Sequence, residues 1–381
     1  MQMEKGTSSS LLRMIFPFLR RIIEVTMSPK NGIKILGMGH YELLLKTALT
    51  LMVKPIVVNK LRPLFLLLIL IFSACKQTPQ IENPEPEALN KGPFFGVAPT
   101  EEPQLLAPEL LASPVTEYNG TFNPEGTEFY YTTDIPSNAY ITYTQMQEDS
   151  TWSPSRIASF SGEFSDFDPL FSPDGNRIYF SSSRPKGDNE NSKIWYVERQ
   201  AEGWSKPTRI VLTGEEDNEY YSSLTHNGTI YFNIWSKGDM YKAVPKDSIF
   251  EVTLLPEIIN TGGEKGDPFI DPNEEYLIFR GYDNSLGKGD LFITYNINGE
   301  WTAPENLGEP INSTEHEMCP WVSQDGKLFV FASGRRPESL SAGPTDPIQK
   351  VHEVASYNTG QLNLFYMSTD FIQRMKQKHL D

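Results

Sequence analysis

The chain has 381 residues, 39% of them hydrophobic and 12% aromatic, so it can bury a large core, and its 29 Pro and 27 Gly disfavour a helical bundle. The formal net charge is −16, and ten Lys and Arg against three Glu in residues 1–75 leave −23 on residues 76–381. A body this acidic repels phosphate backbones, which argues against nucleic acid as a partner.

The first 51 residues precede an export signal that is complete without them. Lys54, Lys60 and Arg62 form a basic region, and nine apolar residues at 64–72 follow, too few to span a bilayer. Residues 11–25 are also compatible with a helix on a membrane surface. We expect residues 1–51 to be a mis-called extension and residues 52–75 to be a signal peptide.

The signal ends in Ser73-Ala74-Cys75, which resembles a bacterial lipobox. In lipoproteins the signal peptidase cuts before this cysteine and its thiol is diacylated, so the resemblance implies a lipid anchor at Cys75. An ordinary signal peptide cleaved near a cysteine is the alternative. Residues 76–104 are rich in Pro and Glu, which predicts an extended tether between the membrane and the body.

From residue 105 onward, one hairpin pattern occurs five times. In its clearest copy, Leu170-Phe171 leads into the turn Pro173-Asp174-Gly175, and an apolar strand at 177–181 follows. Pro fixes φ at the first turn position and Gly supplies the positive φ. The aligned first-strand residues lie 49, 53, 46 and 52 positions apart and are Asn119, Asp168, Tyr221, Asp267 and Cys319. A period near 50 predicts repeated four-stranded blades with strands A to D.

Three tryptophans occupy one framework position of the repeats, at the start of the expected strand D. They are Trp152, Trp204 and Trp301. Because their position repeats, we expect them to anchor the packing of the blades rather than to form a sugar-binding platform.

The segment from Ser172 to Arg184 resembles the repeat of TolB-type, WD-repeat-like β-propellers. Residues 301–312 and 320–327 are similar to the same repeats in bacterial envelope proteins. The resemblance covers residues 105–375 and implies an all-β propeller of the bacterial cell envelope. Together with the lipobox-like ending at Cys75, it predicts a propeller that is lipid-anchored at the outer membrane. It implies no activity, because propellers host many functions.

The number of blades follows from the strands. The fifth A–B–C unit ends near residue 367 without a strand D, and residues 370–381 predict a short helix or tail. We expect residues 108–115 to complete this blade by pairing with residues 364–367, which removes the open edge. The prediction is a propeller over residues 105–369 with five blades, six being the alternative.

Motifs for nucleophilic catalysis are absent from the sequence, since no G-x-S-x-G, H-E-x-x-H or P-loop pattern occurs. We expect His226 and His316 in exposed loops and Cys319 as a buried, inert thiol. Asp168 and Asp267 are expected to accept N–H bonds from the next blade rather than to catalyse a reaction.

Two residues before each aligned position, four blades have an acid and one has a lysine: Glu117, Asp166, Glu219, Lys265 and Glu317. Equivalent positions of a propeller lie on a circle, so these side chains are predicted to meet at one mouth of the channel. There they would bind Ca²⁺, a basic group or a hydroxyl-rich ligand, with Tyr118 and Tyr221 as stacking partners. The alternative is that each acid is solvated or pairs with an adjacent loop.

These patterns favour a monomeric envelope propeller that binds a protein or glycan without catalysis and contacts the membrane only through its lipid anchor. No cofactor other than Ca²⁺ is suggested. The rival hypothesis is a glycoside hydrolase or lyase with carboxylates at the channel mouth, which requires two acids at a defined separation.

Overall fold

The computed structural model describes residues 90–111, 113, 115–184, 191–336 and 362–380. The predictions for residues 1–51, for the signal peptide at 52–75, for the lipid anchor at Cys75 and for the tether at 76–89 lie outside these residues. Within the described ranges, no helix combines the length and the apolar character that crossing a membrane requires.

The described residues form five antiparallel sheets. They are preceded by a 3₁₀ turn (Pro93–Gly96), the strand β1 (Gln104–Leu105) and a helical turn α1 (Pro108–Leu111). Blade 1 consists of β2 (Thr116–Phe122), β3 (Glu128–Ile135), β4 (Asn138–Gln145) and β5 (Arg156–Ile157). Blade 2 consists of β6 (Asp166–Phe171), β7 (Arg177–Ser182), β8 (Lys193–Glu198) and β9 (Thr208–Arg209).

The other three blades repeat this order from strand A outward. Blade 3 consists of β10 (Glu219–Leu224), β11 (Ile230–Ile234), β12 (Asp239–Lys246) and β13 (Ile249–Leu254). Blade 4 consists of β14 (Lys265–Ile270), β15 (Tyr276–Gly281), β16 (Asp290–Ile297), β17 (Glu300–Trp301) and β18 (Glu305–Asn306). Blade 5 contains β19 (Glu317–Val322), β20 (Leu328–Ser333) and β21 (Asn363–Ser368). A 3₁₀ turn (Trp235–Lys237), α2 (Glu257–Asn260) and the C-terminal helix α3 (Asp370–Gln377) complete the elements.

The five sheets form a closed ring, because each strand A contacts strand A of the next blade and β19 contacts β2. The predicted five-bladed propeller is therefore confirmed. The N-terminal strand β1 completes blade 5, with Gln104 opposite Tyr366 and Leu105 opposite Phe365.

The closing strand lies upstream of its predicted position. Residues 108–115 do not supply it, because Pro108–Leu111 is a helical turn and buries Leu111. Proline cannot donate a bond to a strand ladder, and its fixed φ suits the first turn of a helix. Pro108 therefore ends the strand rather than opening it.

The chain also packs on the propeller upstream of residue 104, where the sequence analysis ended the tether. Phe95 is 1% exposed, and its ring centroid lies 4.3 Å from that of Trp152 and 5.1 Å from that of Phe122. Trp152 donates its Nε1 hydrogen to the Gly92 carbonyl over 2.9 Å. Composition alone predicted a free tether here, but two adjacent phenylalanines supply enough apolar surface to hold the segment.

The framework tryptophans act as packing residues, as predicted. Trp204 of blade 2 donates a 2.9 Å hydrogen bond to the Tyr130 hydroxyl of blade 1, with the two ring centroids 6.1 Å apart. Trp152 fixes the N-terminal segment, and Trp301 packs against the apolar cluster that includes Met240 and Ile259.

Every strand A has a β-bulge at the aligned position, where the register with strand B shifts. The five residues there have φ between 49° and 56° and are Asn119, Asp168, Tyr221, Asp267 and Cys319. Left-handed φ is unusual for residues other than Gly, Asn and Asp. A bulge re-aims a side chain, and here it brings the five residues into contact around the axis; we call them the floor ring.

The channel is filled on the side of the A–B turns. Leu170, Phe269 and Trp321 are buried there and border a cavity of only about 160 Å³. The turns then meet across the axis, because the Gln324 amide donates to the carbonyl of Pro173. We call this end the closed end of the channel.

Candidate functional site at the channel mouth

At the other end, where the strands A begin, the channel opens into a cavity of about 580 Å³. Four large side chains from the position just before the floor ring line it, namely Tyr118, Phe167, Tyr220 and Met318. Two floor-ring acids, Asp168 and Asp267, line it from below. A concave site with apolar walls and a few polar groups is the usual form of a ligand pocket. We call this cavity the channel mouth.

Both floor-ring acids accept hydrogen bonds from the next blade, as the sequence analysis expected. Asp168 accepts from the backbone N–H of Tyr221, and Asp267 accepts from the N–H of Cys319 over 3.4 Å. Asp168 also accepts 3.2 Å and 3.3 Å bonds from Asn119 and Ser181. The two carboxylates therefore tie adjacent blades together.

The electrostatic surroundings of these two acids differ. Asp267 lies beside the guanidinium of Arg280, with 3.3 Å between Oδ2 and Nε. The hydrogen-bond donors to Asp168 are neutral, and burial followed by repulsion from Asp267 raises its pKa to about 7. Asp168 therefore releases its proton at a much higher pH than an exposed aspartate.

Blade 4 has Gly266 at the position just before the floor ring, where each of the other blades has a large side chain. The space is occupied by Arg280, which is 4% exposed and whose guanidinium carbon lies 5.6 Å from the Trp235 ring centroid and 5.3 Å from that of Tyr282. His316 lines the same cavity, and burial followed by the charge of Arg280 lowers its pKa.

An aromatic wall runs along one side of the mouth from blade 2 to blade 3. The centroids of Phe167 and Tyr220 are 5.3 Å apart, and those of Tyr220 and Trp235 are 6.1 Å apart. Trp235 is 48% exposed. Trp235 was not predicted as a site residue, because it lies in a turn after strand B, outside the repeated framework. A tryptophan outside that framework was the available signal.

The five side chains predicted to meet at the mouth are all buried, and none lines the cavity. Asp166 bonds Ser182 and Arg184, and Glu317 bonds Ser333 and Arg335, so blades 2 and 5 contain the same Ser-x-Arg clamp. The bulge interrupts the alternation of side chains between the two faces of strand A. The residue two positions before each floor-ring residue therefore points away from the cavity.

The other three members of this set are also held by neighbouring groups. Glu219 lies 3.4 Å from the Lys193 ammonium, and Lys265 donates to the Gly263 carbonyl over 2.8 Å. Glu117 accepts from Ser113, and burial raises its pKa to about 8. No group of three His, Cys, Asp or Glu side chains among the described residues is placed to hold a metal ion.

The two predicted stacking tyrosines have different positions. Tyr118 lines the cavity, whereas Tyr221 belongs to the floor ring and donates its hydroxyl to the Pro320 carbonyl over 2.7 Å. Cys319 is fully buried in the same ring, as expected. His226 is exposed, also as expected, but His316 is half-buried at the mouth.

No protein-family model and no curated protein sequence matches this chain. Among solved structures, a putative TolB from Agrobacterium tumefaciens is 16% identical with a TM-score of 0.41, over 58% of this chain and 71% of that one. TolB from Acinetobacter baumannii is 17% identical with a TM-score of 0.37, over 52% of this chain and 44% of that one.

An arabinanase from Bacillus subtilis is 12% identical with a TM-score of 0.43, over 68% of this chain and 95% of that one. Likeness at this level concerns architecture alone, because one propeller fold hosts many functions. The five-sheet ring confirms the predicted β-propeller fold.

Proposed function

We propose that the chain is a non-enzymatic binding module of the bacterial cell envelope that takes a glycan or an exposed segment of a protein at the channel mouth. One observation carries this proposal: the floor-ring carboxylates are engaged in bonds between blades, whereas the aromatic wall borders open space. Exposed aromatic side chains in a concave site are typical of binding surfaces.

The envelope location and the lipid anchor at Cys75 belong to the same proposal and rest on residues 52–75; a monomeric state is part of the proposal as well. The path of the N-terminal segment supports it. Phe94 donates its N–H to the carbonyl of Gly126 in an A–B turn over 2.7 Å, so the chain enters the propeller at the closed end. A tether that enters there suits a mouth directed away from the membrane.

Site-specific photo-crosslinking in bacterial cells tests this function. A benzoylphenylalanine in place of Met318, at the mouth, is expected to give a discrete adduct with a protein or glycan, and Tyr220→Ala should abolish that adduct. The same probe in place of Tyr241, outside the cavity, is the matched control. Equal adducts from both positions, or none from position 318, would contradict a binding role for the mouth.

A second candidate is a glycoside hydrolase or lyase, favoured by one specific observation. Asp168 and Asp267 share the cavity but have different surroundings, and the pKa of Asp168 is raised to about 7. Divergent environments of two acids are the pattern of a general acid with a base or nucleophile. Release of reducing ends from an envelope polysaccharide that is lost in Asp168→Asn, while binding persists, would replace the binding proposal by this one.

A further inference from the structure

Acidic groups outnumber basic ones around the channel mouth. Apart from tyrosines, the titratable residues that line it in the described part of the chain are Asp134, Asp168, Asp267, Arg280 and His316. Burial lowers the pKa of His316, so this imidazole is neutral at pH 7. Among the residues that the structure describes, three carboxyl groups therefore face one cation, the guanidinium of Arg280.

That guanidinium is paired with Asp267, and no Lys, Arg or His among the described residues forms an ion pair with Asp168. The donors to Asp168 are the Asn119 amide, the Ser181 hydroxyl and the Tyr221 N–H. A buried carboxylate without an opposite charge is unfavourable, and a cation that reached it would favour its ionised form.

The walls beside Asp168 are aromatic, since Tyr118, Phe167, Tyr220 and Trp235 line the same cavity. Aromatic faces attract cations within about 6 Å of the ring centroid, and cages of such rings bind ammonium groups. The protein already uses this contact here, because the Arg280 guanidinium carbon lies 5.6 Å from the Trp235 centroid. A cavity of about 580 Å³ has room for a further group.

We propose that the channel mouth binds an ammonium group, carried by a small amine or by a lysine side chain of a protein, between the aromatic wall and Asp168. This inference rests on the proposed function and names the chemistry that the same site selects. The aromatic rings contact the alkyl or methyl groups around the nitrogen, and Asp168 supplies the negative charge.

The expected pH dependence follows from the charges that face the site. The pKa of Asp168 is raised to about 7, so the ionised fraction of this group grows as the pH rises from 6 to 8. Ammonium binding favours the ionised form, and affinity should therefore rise between pH 6 and pH 8. Tyr118 and Tyr220 stay neutral throughout, because burial raises both pKa values. Burial raises the pKa of Asp134 as well, which makes Asp134→Asn a necessary comparison.

Calorimetric titration of the full chain with choline tests the inference. The matched ligand is 3,3-dimethylbutan-1-ol, which has the shape of choline without its charge. We expect choline to bind about thirtyfold tighter, because a desolvated cation–π contact is worth about 2 kcal/mol and each step of about 1.4 kcal/mol is a factor of ten. Tyr220→Leu should weaken choline binding severalfold, whereas Tyr241→Leu, outside the cavity, should leave it unchanged. Asp168→Asn should remove the pH dependence, and circular dichroism checks that each variant folds.

Equal affinity for choline and its neutral analogue, or choline binding that survives both Asp168→Asn and Tyr220→Leu, overturns the inference. If the crosslink from position 318 forms but neither choline nor a lysine peptide binds, the inference fails and the proposed function stands; if the crosslink is also missing, both fail. Peptides with lysine and with acetyl-lysine separate the two sources: a peptide that binds only when unacetylated indicates a protein, and binding of choline alone indicates a free amine.

Discussion

The guanidinium of Arg280 fills the space in front of Gly266, where a Cβ atom would lie 2.8 Å from Nη2. The two residues lie opposite each other in β14 and β15. In the other blades this position has a large side chain, so the glycine of blade 4 is what admits an arginine to the mouth. In this position, the guanidinium of Arg280 also contacts the Asp267 carboxylate and the ring of Trp235.

Gly266→Ala is expected to destabilise the fold by about 1–3 kcal/mol, the usual cost of overpacking a filled site. The added methyl group pushes the buried guanidinium of Arg280 away from Asp267, and this cation then loses its carboxylate partner while it remains buried. Urea unfolding measures the effect. Gly214→Ala is the control, because its Cβ would meet only the flexible carboxylate of Glu216; equal midpoints for the two variants would contradict the close approach at Gly266.

Asp168 should make the folded state less stable as the pH rises from about 4 to about 7. Its pKa is raised from 3.8 to about 7, so the folded chain holds a proton that the unfolded chain releases over this window. Asp168→Asn is expected to flatten the dependence of the unfolding free energy on pH in that range. An unchanged slope in the variant would show that the carboxyl ionises normally in the folded chain.

Glu117 and Glu317 occupy equivalent positions but differ in their partners, and their glutamine variants should differ accordingly. Glu317→Gln leaves the part-buried Arg335 without its charge partner and is expected to cost about 3 kcal/mol. Glu117 has Ser113 as its partner, and burial raises its pKa from 4.5 to about 8, so the folded chain holds a proton that the unfolded chain releases between these pH values. Glu117→Gln should therefore be nearly neutral at pH 4.5 and stabilising at pH 7. Chemical unfolding at both pH values measures the difference, and similar costs for the two variants would refute it.

Removal of the N-terminal segment should open blade 5. A chain that starts at residue 106 loses β1 and the buried Phe95, and loss of a buried phenylalanine alone costs about 3–5 kcal/mol. The exposed edge of β21 should also promote self-association. A chain that starts at residue 90 retains both elements and is the control; sedimentation and thermal unfolding would show no difference between the two if β1 did not close the ring.

The sequence by itself determined the propeller. A strand–turn–strand unit recurs about every 50 residues, and the apolar faces of each sheet can be covered only by neighbouring copies of the unit. It also indicated five blades, the packing role of Trp152 and Trp204, and the hydrogen bonds that Asp168 and Asp267 accept from the next blade. These features depend on local turn chemistry and on residue positions that repeat along the chain, and both can be recognised in a single sequence.

Only the tertiary structure decided which residues face the channel mouth. A bulge at each floor-ring residue reverses the alternation of strand A, so Glu117, Asp166 and Glu317 turn into the blades while Tyr118 and Phe167 face the cavity. Strand periodicity cannot predict a bulge whose extra residue is Asn, Asp, Tyr or Cys, because no single residue type marks it. The packing of blade 3 against blade 4 then placed Trp235 and Arg280, 45 residues apart in the sequence, on the same cavity wall.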